Sequence, residues 1–154
     1  MSGGELHQFA GGGCGACNLL RDLLADRPAP GLARILRTRA PATTNLYYLR
    51  LCRSVVNARG GALTGSWPAE QRRALGRALV ALPDEIRIVS LRTLAYDVAT
   101  LAGDHGLSSL GAEVIAACRM LDAPLYVDEA DDGPRIRAAA AALRVTYRTV
   151  RRAT

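Results

Sequence analysis

Four carboxylates crowd into five consecutive positions in the last third of the chain. The apolar segment 123–127 is followed by Asp128, Glu129, Asp131 and Asp132. Carboxylate oxygens are ligands that Mg²⁺ and Mn²⁺ prefer, and such a cation activates water and stabilises charge on a phosphoryl group. The cluster therefore predicts a divalent-metal site. The alternative is a solvated turn whose aspartates favour the start of the next helix through the helix dipole.

A second reactive pattern lies near the start of the chain. A glycine run at 11–13 leads to Cys14 and Cys17, where a helical pattern begins. A helix N-terminus acidifies a thiol, and a Cys-x-x-Cys pair in that position is typical of thiol–disulfide exchange. Three alternatives stay open: a glycine-rich turn with packed thiols, an anion site at the helix start, and a structural zinc site, which would need two further ligands.

The segment 45–57 has the periodicity of an amphipathic helix. Leu49, Cys52 and Val56 share one face, which we expect to be buried. Cys118 lies in another apolar helical pattern. Both cysteines are therefore predicted to pack in the core as small hydrophobic residues.

The other face of the same helical segment carries charge beside an aromatic ring. Arg50 and Arg53 are three positions apart and share a flank with Tyr47. Arginines beside an aromatic ring can follow a phosphate backbone, and they can equally anchor a protein partner. This face is the predicted surface for RNA or for a protein.

Composition constrains the class of protein and its compartment. The net charge is +6, and all 20 basic residues are Arg. This skew is typical of a GC-rich, actinobacterial genome. Genome composition and a nucleic-acid surface are therefore two alternative explanations of the basicity. No apolar run approaches the roughly 18–20 residues of a membrane span, and the N-terminus lacks the pattern of a signal peptide. We therefore expect a cytoplasmic protein that does not enter a membrane.

Helical and strand patterns alternate along the chain. Helices are predicted over 14–26, 31–37, 45–57, 69–82, 91–102, 108–121 and 133–143, and strands over 5–9, 40–43, 86–90, 123–127 and 144–150. This order favours a single α/β domain over 1–154, with a central parallel sheet of four or five strands between layers of helices. The ends of its strands, at Phe9, Thr43 and Val127, would then line one groove.

The segment HGLSSLGAEVIAACRMLDAPLYVDEADDGPRIRAAAAALRV, at 105–145, resembles the PIN-like domain family, the ribonuclease toxins of bacterial toxin–antitoxin pairs. The likeness extends back to TTNLYYLRLCRSVV at 43–56. The resemblance implies a PIN-like three-layer topology, RNA as the substrate, and Mg²⁺ or Mn²⁺ held by acids at the strand ends. It also implies a homodimer and a protein partner of the antitoxin kind.

Three of the acidic positions that the resemblance implies are not acidic in this chain. The first falls on Ala10 or Gly11, the second on Asn45 and the third on Gly111. Only the fourth remains, as Asp128 or Glu129. Because one acid cannot hold such a cation, the leading hypothesis is a degenerate, non-catalytic PIN-like protein that binds RNA or a protein partner.

Two other functions stay open. A divalent-metal-dependent endoribonuclease would need a rearranged acid cluster, drawing on Glu113 or Asp97 from neighbouring helices. Glu113, however, lies two positions beyond Gly111, which turns it about 200° around a helix. The third hypothesis is a thiol-based activity at Cys14 and Cys17.

Overall fold

The computed structural model describes residues 17–25, 30–57 and 63–151. The strand predicted at 5–9, with Phe9 at its end, lies outside these ranges. So do Cys14 and the positions Ala10 and Gly11, where the resemblance implies the first acid.

Helices and strands alternate through the described residues in the order that the sequence predicts. The helices are α1 (Cys17–Leu24), α2 (Pro30–Leu36), α3 (Asn45–Val56), α4 (Ala69–Val80), α5 (Leu91–His105), α6 (Ser109–Leu121) and α7 (Pro134–Ala142). The strands are β1 (Ala42–Thr44), β2 (Arg87–Val89), β3 (Leu125–Asp128) and β4 (Tyr147–Val150). Helix α5 runs three residues past its predicted end, because the stop is Gly106 in the left-handed conformation, with φ 61°, and not Gly103.

The strands pair in parallel, as the alternation of helices and strands predicts. Strand β1 pairs with β2, with Thr44 opposite Val89, and β3 pairs with β4, with Asp128 opposite Val150. Each connection crosses over through helices, as parallel pairing requires. The described residues therefore form a mixed α/β structure whose strands pair as two two-stranded parallel sheets, and the predicted sheet of four or five strands is not shown by them.

Strand β3 is covered by apolar side chains on both faces. Leu125 and Val127 belong to the main core, whereas Tyr126 packs with Leu19 and Leu32 in a second cluster. Successive strand residues point to opposite faces, so this division means that helices cover the β3–β4 sheet from both sides.

Helix α6 is the centre of the main core. Its residues from Gly111 to Cys118 are all buried, and it packs against α5. A helix whose buried residues extend around its whole circumference lies inside the protein. The predicted core position of Cys118 is confirmed, whereas Cys52 is only half-buried.

The predicted orientation of α3 is wrong. Leu49 is 53% exposed and Val56 is 81% exposed, whereas Tyr47 and Leu51 are in the core. The reason is geometric: β1 continues into α3 without a loop, so the strand fixes the rotation of the helix. Arg50 and Arg53 remain exposed, but Tyr47 is not beside them on the surface.

Candidate functional site

Polar side chains are buried where strands β1 and β3 end. Thr44 closes β1 and is fully buried, and Asp128 closes β3 with 1% of its surface exposed. The carboxyl ends of parallel strands are the usual place for a binding site in an α/β protein.

Asn45, the first residue of α3, joins this edge to the start of α5. Its Oδ1 atom accepts a 2.7 Å hydrogen bond from the backbone amide of Leu91. Ser90 precedes α5 but forms no side-chain cap, so Asn45 supplies the acceptor that the helix start needs. The residue at the second implied acidic position is thus a structural link between two helices.

Glu113 reaches the same edge from α6. It is fully buried, and its Oε1 atom accepts a 2.9 Å hydrogen bond from the amide of Leu46. Among the described residues, its Oε2 atom has no hydrogen-bond partner, and neither has Oγ1 of Thr44. A buried carboxylate oxygen without a partner is costly, so Glu113 marks a place that suits a proton, a water molecule or a cation.

The structure places the side chain of Glu113 elsewhere than the sequence predicts. Its angular separation from Gly111 suggested that it points away from the site, whereas the structure places it at the start of α3. A usable indication was present: Glu113 is the only charged residue among the buried positions 111–118 of α6. Charged residues in such a stretch are seldom buried without a specific contact.

The first three acids of the predicted metal cluster have separate surroundings. Asp128 accepts a 2.9 Å hydrogen bond from the amide of Ala130, which closes a turn. Asp131 accepts a 2.7 Å hydrogen bond from the side-chain amide of Asn18 in α1. Glu129 is exposed.

The fourth acid, Asp132, joins α7 to β4. It accepts a hydrogen bond from Arg137 and another, of 2.7 Å, from the hydroxyl of Tyr147. The hydrogen bond from Tyr147, followed by that from Arg137, lowers the pKa of Asp132. Burial, followed by the bond to Asp132, raises the pKa of Tyr147 to about 12. Asp132 directly precedes Gly133, the N-cap of α7, which forms no side-chain cap.

The acids therefore do not converge in the part of the chain that the structure describes. There, no group of three or more His, Cys, Asp or Glu residues is placed to hold a metal ion. Asp97, the other candidate from a neighbouring helix, is exposed on α5. Glu113 and Asp128 are the two buried carboxylates among the residues that the structure describes.

The cysteines give less information about a thiol site. Cys14 lies outside the described residues, and Cys17 is described only as the first residue of α1. Cys52 is beside Tyr48 on α3, and burial raises the pKa of both groups. A raised pKa keeps the Cys52 thiol protonated, which makes it a poor nucleophile.

A groove separates α3 from α4, and we call it the α3–α4 groove. Its volume is about 640 Å³, and its lining residues are Tyr48, Cys52, Val55, Val56, Arg73, Gly76, Arg77, Leu79 and Val80. Two of them, Val56 and Val80, are 81% and 90% exposed. Part of the face of α3 that periodicity assigned to the core thus lines an open cavity.

Comparisons with known proteins give no family for the chain. No protein-family model matches it, and no curated protein matches it significantly. Within the described ranges, none of the helices is both long and apolar enough to cross a membrane.

Proposed function

We propose that this chain is a degenerate PIN-like domain, formed by residues 1–154, that binds a protein partner and does not cut RNA. In this proposal the two parallel pairs belong to one central sheet of four or five strands. The protein is cytoplasmic in this proposal, and it forms a homodimer, as the resemblance implies. The observation that carries the proposal is the hydrogen bond between Asn45 and Leu91.

The Asn45 bond matters because of the position that Asn45 occupies. The resemblance implies a metal-binding acid there, whereas the amide is neutral and its oxygen is directed to the start of α5. Gly111, at the third implied position, has no side chain, and a Cβ atom added to it would contact Ser108 and Ile136 at 3.5 and 3.8 Å. At the fourth implied position the acid Asp128 is present, but one of its carboxylate oxygens accepts the hydrogen bond that closes a turn.

A protein partner is favoured over RNA by the distribution of apolar side chains. Leu49, Val56 and Val80 are exposed on α3 and α4, and apolar surface of this kind is typical of protein interfaces. Recognition of single-stranded RNA commonly uses exposed aromatic rings for stacking. Tyr47, the ring predicted for that role, is buried.

Calorimetry tests the part of this proposal that concerns metal, namely that the natural chain does not hold Mn²⁺. Titration of Mn²⁺ into the protein should give no saturable binding below the millimolar range, and a fluorescent single-stranded RNA should stay intact. The double variant Asn45→Asp/Gly111→Asp, which supplies two of the missing acids, should bind Mn²⁺ at least tenfold more tightly. Micromolar binding by the natural chain, lost in Asp128→Ala, would contradict the proposal.

A divalent-metal-dependent endoribonuclease is the second candidate function. Glu113 favours it, because its free Oε2 atom is buried at the edge where the strands end. Together with Asp128, this oxygen could hold Mg²⁺ or Mn²⁺, which would activate water for attack on a phosphodiester. Under this hypothesis Mn²⁺ raises the melting temperature of the natural protein but not that of Glu113→Gln.

The thiol hypothesis at Cys14 and Cys17 depends on the reactivity of these residues. A working exchange site requires a depressed thiol pKa. Titration with a thiol reagent across pH, on the natural chain and on Cys14→Ser, measures that pKa directly. An ordinary pKa for both thiols would remove the basis for this function.

A further inference from the structure

We propose that the α3–α4 groove binds an amphipathic α-helix of another protein, with acidic residues flanking the apolar face of that helix. The inference rests on the proposed function, in which the chain binds a protein partner, and it specifies the surface and the chemistry of that partner. It arises from the shape of the groove, its apolar lining and the charge at its edges.

The apolar surface of the groove is not filled by any of the residues that the structure describes. Val56 and Val80 are the last residues of α3 and α4, and both are largely exposed. Below them lie Val55 and Leu79, which pack against the core. The two helices are close at Gly76, where a Cβ atom would lie 3.4 Å from Val55 Cγ1. A partner side chain could therefore bury apolar surface here without moving either helix.

The charge of the two helices selects the partner. Helices α3 and α4 carry five arginines, and Glu70 is their one carboxylate. Arg73 and Arg77 line the groove, and neither forms a salt bridge within the described ranges. An acidic partner would neutralise this excess positive charge. A second copy of this chain would bring two positive faces together, because a twofold interface pairs a surface with itself.

The extent of the groove suits a short helix. Its lining runs from Tyr48 to Val56 on α3 and from Arg73 to Val80 on α4, which corresponds to about 10–12 Å of each helix. A partner helix of three turns presents apolar side chains at i, i+4 and i+7 along that length. Acidic residues beside this stripe would then lie near Arg73 and Arg77.

Fluorescence anisotropy tests the inference with defined probes. The first probe is a fluorescein-labelled 14-residue peptide with leucines at i, i+4 and i+7, glutamates beside them and alanines elsewhere. The second has lysine in place of every glutamate, and the third is labelled U12 RNA. We expect micromolar binding of the glutamate peptide and at least tenfold weaker binding of the lysine peptide.

Surface variants identify the binding face. Val80→Glu, and separately Arg73→Glu/Arg77→Glu, should each weaken binding of the glutamate peptide at least tenfold. Tyr96→Glu is the matched control, because Tyr96 is 86% exposed on α5 and does not line the groove. It should leave binding unchanged. Circular dichroism of all variants checks that the fold is intact.

Several outcomes would overturn the inference. These are equal binding of both peptides, no binding of the glutamate peptide, and no effect of Val80→Glu. A dimer that Val80→Glu dissociates in sedimentation velocity would assign the groove to a second copy of the chain. Displacement of the glutamate peptide by U12 RNA would assign the groove to RNA. Metal binding and RNA cleavage are measured in separate experiments. A failure of peptide binding at the groove would therefore refute this inference without deciding whether the chain cuts RNA.

Discussion

The side chain of Asn45 caps a helix that begins 46 residues later in the chain: its Oδ1 atom lies 2.7 Å from the amide nitrogen of Leu91. This bond joins the start of α3 to the start of α5 at the edge where β1 and β2 end. A neighbouring contact, from Leu46 to Glu113, holds α6 to the same place. Polar side chains at this edge thus connect α3 to α5 and to α6, and these contacts stabilise the fold.

Removal of the Asn45 side chain should destabilise the fold. Asn45→Ala leaves the amide of Leu91 without its acceptor, and we expect a loss of about 0.5–2 kcal/mol in the free energy of unfolding, as for other lost caps. Asn45→Asp keeps the acceptor and places negative charge at helix starts, so it should cost less than the alanine variant. Urea unfolding followed by circular dichroism measures both. An unchanged stability for Asn45→Ala would show that the bond contributes nothing.

Two substitutions of Glu113 should distinguish the contribution of its hydrogen bond to the free energy of unfolding from the contribution of its charge. Glu113→Gln keeps an oxygen that can accept from Leu46 and removes any buried charge, so its free energy of unfolding should equal or exceed that of the natural chain. Glu113→Ala leaves the Leu46 amide unpaired, which should cost about 1–3 kcal/mol. Urea unfolding of the two variants gives the comparison. A larger loss for Gln than for Ala would refute this account of the contact.

The hydroxyl of Tyr147 should titrate at unusually high pH. Its pKa is raised from 10.0 to about 12, so the folded chain holds this proton more firmly than the unfolded chain does. The resulting stabilisation is complete below pH 10 and is lost as the pH rises to about 12. The difference in absorbance at 295 nm between the natural chain and Tyr147→Phe isolates this titration. Its midpoint should fall in Asp132→Asn, and an unchanged midpoint would exclude Asp132 as a cause.

Two leucines on α3 should respond very differently to truncation. Leu51 is fully buried, so Leu51→Ala should cost about 2–5 kcal/mol in the free energy of unfolding. Leu49 is 53% exposed, and Leu49→Ala should change stability by no more than about 0.5 kcal/mol. Chemical unfolding of both variants tests the rotation of α3. Equal losses would mean that the helix has a different buried face.

Local sequence patterns were sufficient for the helices and for much of their order. The segments 45–57 and 69–82 have apolar periodicity, and the structure has α3 and α4 within them. The same holds for α6, whose apolar helical pattern also predicted the burial of Cys118. Helical hydrogen bonds join residues four apart, so the residues that form a helix are also the ones that indicate it.

The buried face of α3 depended on its surroundings. Two apolar stripes are present in the segment, one with Leu49 and Val56 and the other with Tyr47 and Leu51. Periodicity indicates a helix but cannot choose between such stripes. The choice follows from the attachment of α3 to β1 and from the contact of Leu46 with Glu113.

From the sequence alone, the acids of the segment 128–132 are known to follow an apolar segment, and Asn45 and Gly111 are known to stand where the resemblance implies acids. The contacts of these residues are visible in the folded chain and not in the sequence. The fold directs Asn45 to Leu91, Glu113 to Leu46 and Asp132 to Tyr147. The first two of these contacts join residues 46 and 67 positions apart. Local patterns contain no information about such pairs, because packing of the whole chain brings them together.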